Sequence, residues 1–196
     1  MKPVLMIFVK APIMGKAKTR LAAGIGKVHA QRVYRAMCAK VFKECISPQW
    51  QTYLYVTPDD CAHKNYGGNW PAHLPRISQG PGGLTERKAK LYTYKGPLIA
   101  IGTDIPQLKN RDIARGFKAL KTHDAVFGPA SDGGFWLIGL IGPAKTGLFE
   151  GIRWSHPDTL VDMKRKIDGS IAYVNTYTDV DNARDFALVK AQIYGL

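Results

Sequence analysis

The sequence predicts an α/β domain built on a mostly parallel sheet. Three observations carry this. Short apolar runs recur along the chain with helical stretches between them. The runs are continuously apolar rather than alternating, as in strands buried on both faces. The 196 residues, 45% hydrophobic, suffice for one full core without staples.

Pro3 to Val9 reads as the first buried strand, and it leads into a Gly/Lys-rich stretch from Lys10 to Gly26. His29 to Ile46 has helical periodicity, with Val33, Met37, Val41 and Cys45 on one face and Tyr34, Cys38 and Phe42 beside them. Thr52 to Thr57 is β-rich, Pro71 to Ile77 can hold a short strand, and Leu84 to Tyr92 a short helix. Pro97 to Gly102 is a second buried strand, stopped by Thr103-Asp104-Ile105-Pro106. Asn110 to Lys121 reads as a helix capped by Asn110. Ala125 to Gly128 and Phe135 to Ile141 are two more strands. Ser155 and Asp158 have the spacing of a capping box, opening a helix to about Ile167. Ile171 to Asn175 completes the strands, and Asn182 to Tyr194 is the last helix.

The chain carries 28 Lys and Arg against 15 Asp and Glu, a formal charge of +13. Residues 1–50 hold ten of the cations and one acid, whereas residues 151–196 hold six of each. This balance suits an anionic partner: nucleic acid, a membrane surface or a phosphorylated small molecule. No apolar run reaches membrane-spanning length, and Val4 to Val9 is shorter than a signal h-region. Three cysteines make no disulfide framework, and Cys38 and Cys45, seven residues apart on a helix, stand about 10 Å apart by the helical rise. The expectation is a cytoplasmic protein with reduced thiols.

Four motifs could carry chemistry. In the first, Lys10, Lys16, Lys18 and Arg20 crowd the loop after strand one, and Gly15 permits close backbone approach. Such a loop can cradle phosphate, or can be a solvated basic surface. It is not a Walker A loop, because Lys10 stands where the first Gly belongs, and Gly24-Ile25-Gly26 is no dinucleotide fingerprint, because His29 replaces the third Gly. In the second, Gly102-Thr103-Asp104-Ile105-Pro106 ends a buried strand on a lone carboxylate, able to hold a divalent metal or to close an Asx-turn. In the third, Asp132-Gly133-Gly134 sits between apolar strands as a hairpin turn or as the rim of a substrate site, with Phe135 and Trp136 in the core or the pocket wall. In the fourth, Asp179 and Asp181 point the same way if extended, and could complete a metal site with Asp104. Otherwise Asp181 caps the last helix and Asp185 lies on its surface. The histidines lack zinc-ligand spacing, and no Gly-x-Ser-x-Gly elbow exists.

Taken in this order, the motifs resemble a family of uncharacterised bacterial proteins of the glycosyltransferase-A type, counted among the nucleotide-diphospho-sugar transferases. The resemblance covers nearly the whole chain. It rests on the Lys10 to Leu21 loop, Gln79-Gly80 through Leu84 to Arg87, Gly102 to Pro106, Gly128 to Gly134, Phe149 to Trp154, and Asp179 to Asp181. The wider superfamily includes sugar-phosphate nucleotidyltransferases and 2-phospholactate guanylyltransferase. The resemblance implies a three-layer α/β/α sandwich with a mixed sheet, one domain over residues 1–196. Lys10, Gly15, Lys16, Lys18 and Arg20 would bind the nucleotide's phosphates, and Glu86 and Arg87 would also contact substrate. Asp104 would hold Mg²⁺ or Mn²⁺, with Asp181 as a second ligand. Asp132, Gly133 and Gly134 would face the acceptor. The chain departs from the family pattern at Gly83 and Thr85, where an Asp and a Gly are usual, at Met14 for Pro, and at Ser131 for an acid.

The leading expectation is therefore a metal-dependent transferase acting on a nucleotide-activated sugar, with a nucleotide or nucleotide-sugar as its partner. The alternative is a nucleotidyltransferase that joins an NTP to a phosphorylated small molecule and releases pyrophosphate. A nucleic-acid-binding module is a third reading, which the basic N-terminal third supports and the lack of a nucleic-acid-binding motif opposes. Gly83 also raises the possibility of an inactive relative.

Overall fold

Along the first strand, β1 (Val4–Lys10), successive side chains go to opposite faces. Leu5, Ile7 and Val9 join one apolar cluster, while Val4 and Met6 join another. Both faces are therefore covered, as the unbroken apolar run requires. The computed structural model describes residues 2–67 and 70–194. After β1 come α1 (Thr19–Ile25), α2 (Lys27–Glu44), β2 (Gln51–Thr57), a single 3₁₀ turn (Asp59–Cys61), β3 (Arg76–Ser78) and α3 (Leu84–Leu91). They are followed by β4 (Leu98–Ile101), α4 (Asn110–Ala119), β5 (Ala125–Pro129), β6 (Phe135–Leu140), α5 (Thr159–Lys166), β7 (Ile171–Tyr173) and α6 (Ala183–Tyr194).

The described strands form a seven-stranded sheet in the order β3-β2-β1-β4-β6-β5-β7. Pairing is parallel except around β6, which runs antiparallel to both β4 and β5. Leu21 of α1, Met37 of α2, Ile113 of α4 and Val189 of α6 pack on one face. Leu91 of α3 and Met163 of α5 pack on the other. The architecture is the three-layer α/β/α sandwich with a mixed sheet. Each fully buried Leu or Ile, such as Leu5, Ile7, Leu54 and Ile99, contributes about 1.5–3 kcal/mol by leaving water. No helix among the described residues is long and apolar enough to cross a membrane.

Three helix starts differ from the sequence reading. The basic stretch after β1 contains α1, which its Gly and Lys content conceals. Asn110 is not the cap of α4: its amide donates to the carbonyls of Glu44 and Ile46, at 2.9 and 3.1 Å. Asp112 instead accepts from the Lys109 N–H at 2.9 Å, closing the helix start from inside. Ser155 and Asp158 form no capping box. Ser155 has a left-handed backbone, φ 56, and α5 begins only at Thr159, whose hydroxyl bonds the Arg153 and His156 carbonyls.

Candidate functional site

The carboxyl ends of parallel β1, β2 and β4 open on one edge, where doubly wound sheets bind ligands. Lys10 lies beside Thr57 and Ile7 beside Ile101 in the register, so the segments leaving β1 and β4 meet there. Tyr34 of α2 clasps the end of β1: its hydroxyl accepts from the Lys10 N–H at 3.1 Å and donates to the Lys10 carbonyl at 2.7 Å.

At the start of α1, Lys18 has φ 53, a left-handed conformation that costs a non-glycine residue about 1–2 kcal/mol. Lys18 and Ser155 are the two non-glycine residues with positive φ among those described, and both line the cleft. Strain of this kind concentrates at functional sites. The Lys18 side chain turns inward and is 7% exposed, with Nζ 2.9 Å from both Asp104 Oδ2 and Asp181 Oδ1. Arg20 holds the other Asp181 oxygen, Oδ2. Burial alone would lower the Lys18 pKa, but Asp104 and Asp181 outweigh it and raise the value. Burial alone would raise Asp181, but Lys18 and Arg20 reverse this and hold it below the usual carboxylate range.

Asp181 is available for this because it does not cap α6. Asn182 does: its Oδ1 accepts from the N–H of Arg184 and Asp185, at 2.8 and 3.1 Å. Asp185 is not a bystander on the helix surface; it accepts from the N–H of Asp181 and Asn182, at 3.0 and 3.1 Å. Between the two acids, Val180 is buried and its N–H donates to the Asp104 carbonyl at 3.0 Å. Asp179 and Asp181 therefore flank an inward residue, and both line the cleft.

The cleft has two lobes. A basic lobe of about 310 Å³ is lined by Lys10, Lys18, Tyr34, Thr57, Gln79 and Thr103. An aromatic lobe of about 260 Å³ is lined by Phe8, Lys88, Asp132, Phe135, Trp154 and Asp179, among others. Phe8, Arg20, Asp104 and Asp181 line both and form the divide.

Asp132-Gly133-Gly134 is both the β5–β6 hairpin turn and a rim of the aromatic lobe. Asp132 Oδ1 accepts from the Gly134 N–H at 2.8 Å, and Asp132 and Gly134 line the lobe. Gly133 lies underneath, with φ +89, and a Cβ there would fall 1.9 Å from the Pro157 carbonyl oxygen. Its own carbonyl accepts from the Leu160 N–H at 3.1 Å, which draws the start of α5 onto the hairpin. Trp154, Ser155 and His156 reach the lobe by this route. Asp179 is pushed up to about 6 by burial, then by the neighbouring charges of Asp132, Asp181 and Asp104.

The sequence reading missed Lys88. It lies on α3, is 8% exposed, and directs its ammonium into the aromatic lobe. Nζ stands 4.6, 5.3 and 5.5 Å from the ring centroids of Phe8, Phe135 and Trp154. Burial pulls its pKa down to about 8. Trp154 is fixed by Thr85, whose Oγ1 accepts from the indole N–H at 2.9 Å.

The structure brings together Lys10, Lys18, Arg20, Asp104, Asp132, Gly134 and Asp181 on the cleft. It leaves other expected site residues outside. Gly15, with φ +72, and Lys16 form an exposed turn beyond both lobes. Glu86 bonds the Gly83 N–H at 2.7 Å and so closes the start of α3. Arg87 sits behind the basic lobe and donates to Gln79 and Thr57, at 3.1 and 3.4 Å.

A model of the family described as "Uncharacterized protein conserved in bacteria (DUF2064)" matches residues 41–156. The chain belongs to this family. No curated protein matches it. Among solved structures, a candidate nucleotide-diphospho-sugar transferase from Desulfovibrio desulfuricans G20 is 23% identical with a TM-score of 0.81, over 99% of this chain and 97% of that one. A CMP:2-keto-3-deoxy-manno-octonic acid synthetase complexed with CTP is 10% identical with a TM-score of 0.61, over 100% and 99%. Rv0371c from Mycobacterium tuberculosis H37Rv, in complex with manganese, is 12% identical with a TM-score of 0.52, over 96% and 98%. The fold is thus shared with nucleotide-diphospho-sugar transferases and nucleotidyltransferases.

Proposed function

We propose that the chain, as one domain over residues 1–196, is a metal-dependent transferase acting on a nucleotide-activated sugar. The observation that carries this is the Lys18 ammonium bridging Asp104 and Asp181 at the divide between a basic and an aromatic lobe. Two substrates can meet there, one on each side. In the basic lobe, Lys18 and Arg20 exchange their carboxylate partners for the nucleotide's diphosphate, which they neutralise. Lys10 lines the same lobe. In the aromatic lobe, Asp132 orients the acceptor hydroxyl and accepts its proton.

The donor set fits Mg²⁺ or Mn²⁺. Asp104 and Asp181 present carboxylate oxygens to one shared point, and burial together with the charges of Asp132, Asp181 and Asp104 raises Asp179. Among the described residues no three ligand groups already converge. The two aspartates would be the protein ligands, and water and substrate oxygens would complete the shell, as is usual for Mg²⁺. Such an ion supplies charge stabilisation to the leaving diphosphate. The buried, unpaired Cys38, Cys45 and Cys61 are consistent with a reducing, cytoplasmic setting.

The likeness to a CTP-bound synthetase favours a second reading, nucleotidyl transfer from an NTP to a phosphorylated small molecule. One experiment separates them. The protein is incubated with UDP- and GDP-sugars, or with NTPs, plus Mg²⁺ or Mn²⁺ and a panel of acceptors. Nucleoside diphosphate release supports the first reading and pyrophosphate the second. Neither product, with no nucleotide binding by calorimetry, would overturn both; salt-sensitive binding of nucleic acid in its place would support a nucleic-acid-binding module.

A further inference from the structure

We propose that Lys88 anchors an oxyanion, a phosphate or a carboxylate, carried by the second substrate, making the aromatic lobe selective for an anionic acceptor. Only the word acceptor rests on the transferase reading; the anion site stands on its own geometry.

Lys88 is more than nine-tenths buried and lines the lobe. Among the described residues no carboxylate lies within ion-pair distance of it and no hydrogen bond engages it; its contacts are the rings of Phe8, Phe135 and Trp154. Ring faces attract a cation through their quadrupole but consume none of its N–H donors. Three strong donors therefore remain for a ligand. An unpaired buried charge opposes folding, and a Met or Leu would fill the same space between Phe8 and Trp154 without that cost. The chain holds a charged donor where packing alone asks for an apolar side chain.

The rest of the lobe gives the ligand a direction. Its other charged or titratable groups are Arg20, Asp104, Asp132, Asp179, Asp181 and His156. The four acids repel an anion from the divide and from the Asp132 rim, and Arg20 is engaged by Asp181. Lys88 is the cation that the acids leave unneutralised. A molecule with an oxyanion on Lys88 and a hydroxyl toward Asp132 satisfies both ends.

The test uses the full chain with lysine labelled at the ε-carbon and read by NMR. The Lys88 signal is assigned by its loss in Lys88→Met, or in Lys88→Arg should the Met variant not fold. Inorganic phosphate and acetate are titrated separately, in the wild type and in Lys18→Met, which removes the phosphate cradle of the basic lobe. The expected result is that at least one anion shifts the Lys88 signal in both proteins and raises its titration midpoint by about one pH unit, as a nearby opposite charge does. A response to phosphate alone supports a phosphorylated acceptor, and a response to acetate supports a carboxylate. No response to either anion, or a response that vanishes in Lys18→Met, overturns the proposal. Binding of UDP and GDP with Mn²⁺ is measured alongside. If it fails while Lys88 still responds, the transferase reading falls and the anion site remains.

Discussion

Replacing Lys88 by Met should stabilise the protein at neutral pH. Burial holds the folded ammonium at about 8, against an ordinary 10.5. At about 1.4 kcal/mol per pH unit, that gap corresponds to about 3 kcal/mol of disfavoured charge at neutral pH. The three ring faces return roughly 0.5–1 kcal/mol each, which leaves a net penalty of up to about 2 kcal/mol. Met fills the same channel with an unbranched chain and adds sulfur–aromatic contacts. Lys88→Met should therefore show a higher urea midpoint near neutral pH with an unchanged slope. The pH dependence carries a sign. Between about 8 and 10.5 the unfolded wild type binds the proton that the folded protein has released, so wild-type stability rises with pH. The variant's advantage should shrink across that window, while other groups titrate in both proteins and cancel in the difference. A variant that is less stable than the wild type near neutral pH, or an advantage that does not shrink in alkali, would refute the reasoning.

Lys18→Met should weaken binding of a nucleoside diphosphate with Mn²⁺ by about 10–100-fold in calorimetry, the worth of one or two charge-assisted hydrogen bonds. Lys43→Met, on the exposed side of α2, should change it by less than about twofold. Gly133→Ala should destabilise by about 3 kcal/mol or more, since it adds left-handed strain to a collision with the Pro157 carbonyl; the thermal midpoint should fall by about 6–12 °C. Burial pushes the Cys38 thiol up to about 12, and Cys45 and Cys61 are equally enclosed. A thiol reagent should label none of the three in the native protein and all three in urea.

The strands were legible because burial on both faces leaves a direct mark, an unbroken apolar run such as Val4 to Val9. Helix starts were less so. A capping pattern competes with tertiary partners that the sequence does not reveal: Asn110 looks like a cap until Glu44 at the end of α2 and Ile46 beyond it offer their carbonyls. The acids were legible by position, because Asp104 ends a buried strand and Asp179 and Asp181 share a parity. What freed Asp181 for the cleft, the reciprocal Asn182 and Asp185 cap, shows only in three dimensions. The place of Glu86 at the start of α3 was hidden for a related reason. Its Gln-Gly setting suggested substrate, whereas its distance from Gly83 is that of the inner half of a capping box. Lys88 had no signal. In a helix reading Leu-Thr-Glu-Arg-Lys-Ala-Lys-Leu, a lysine looks like a solvated face. Only the packing of α3 over Phe8, with Phe135 and Trp154 brought from later in the chain, encloses it.

Three of the cleft's cations are held in two different ways, and the difference bears on how ligands would enter. Lys18 and Arg20 are held by carboxylates, so a phosphate that takes them releases oxygens of Asp104 and Asp181. Those oxygens are the ones proposed for a divalent ion. Nucleotide and metal should then bind with mutual reinforcement, and linkage requires the effect to be equal in both directions. Lys88 is held by rings, which surrender nothing when an anion arrives. Its affinity for an anion should therefore not depend on the exchange at the divide. The excess of +13 is thus no guide to the partner by itself. Within the cleft acids and cations are equal in number, four of each, and what matters is which cation has a partner that a substrate must displace.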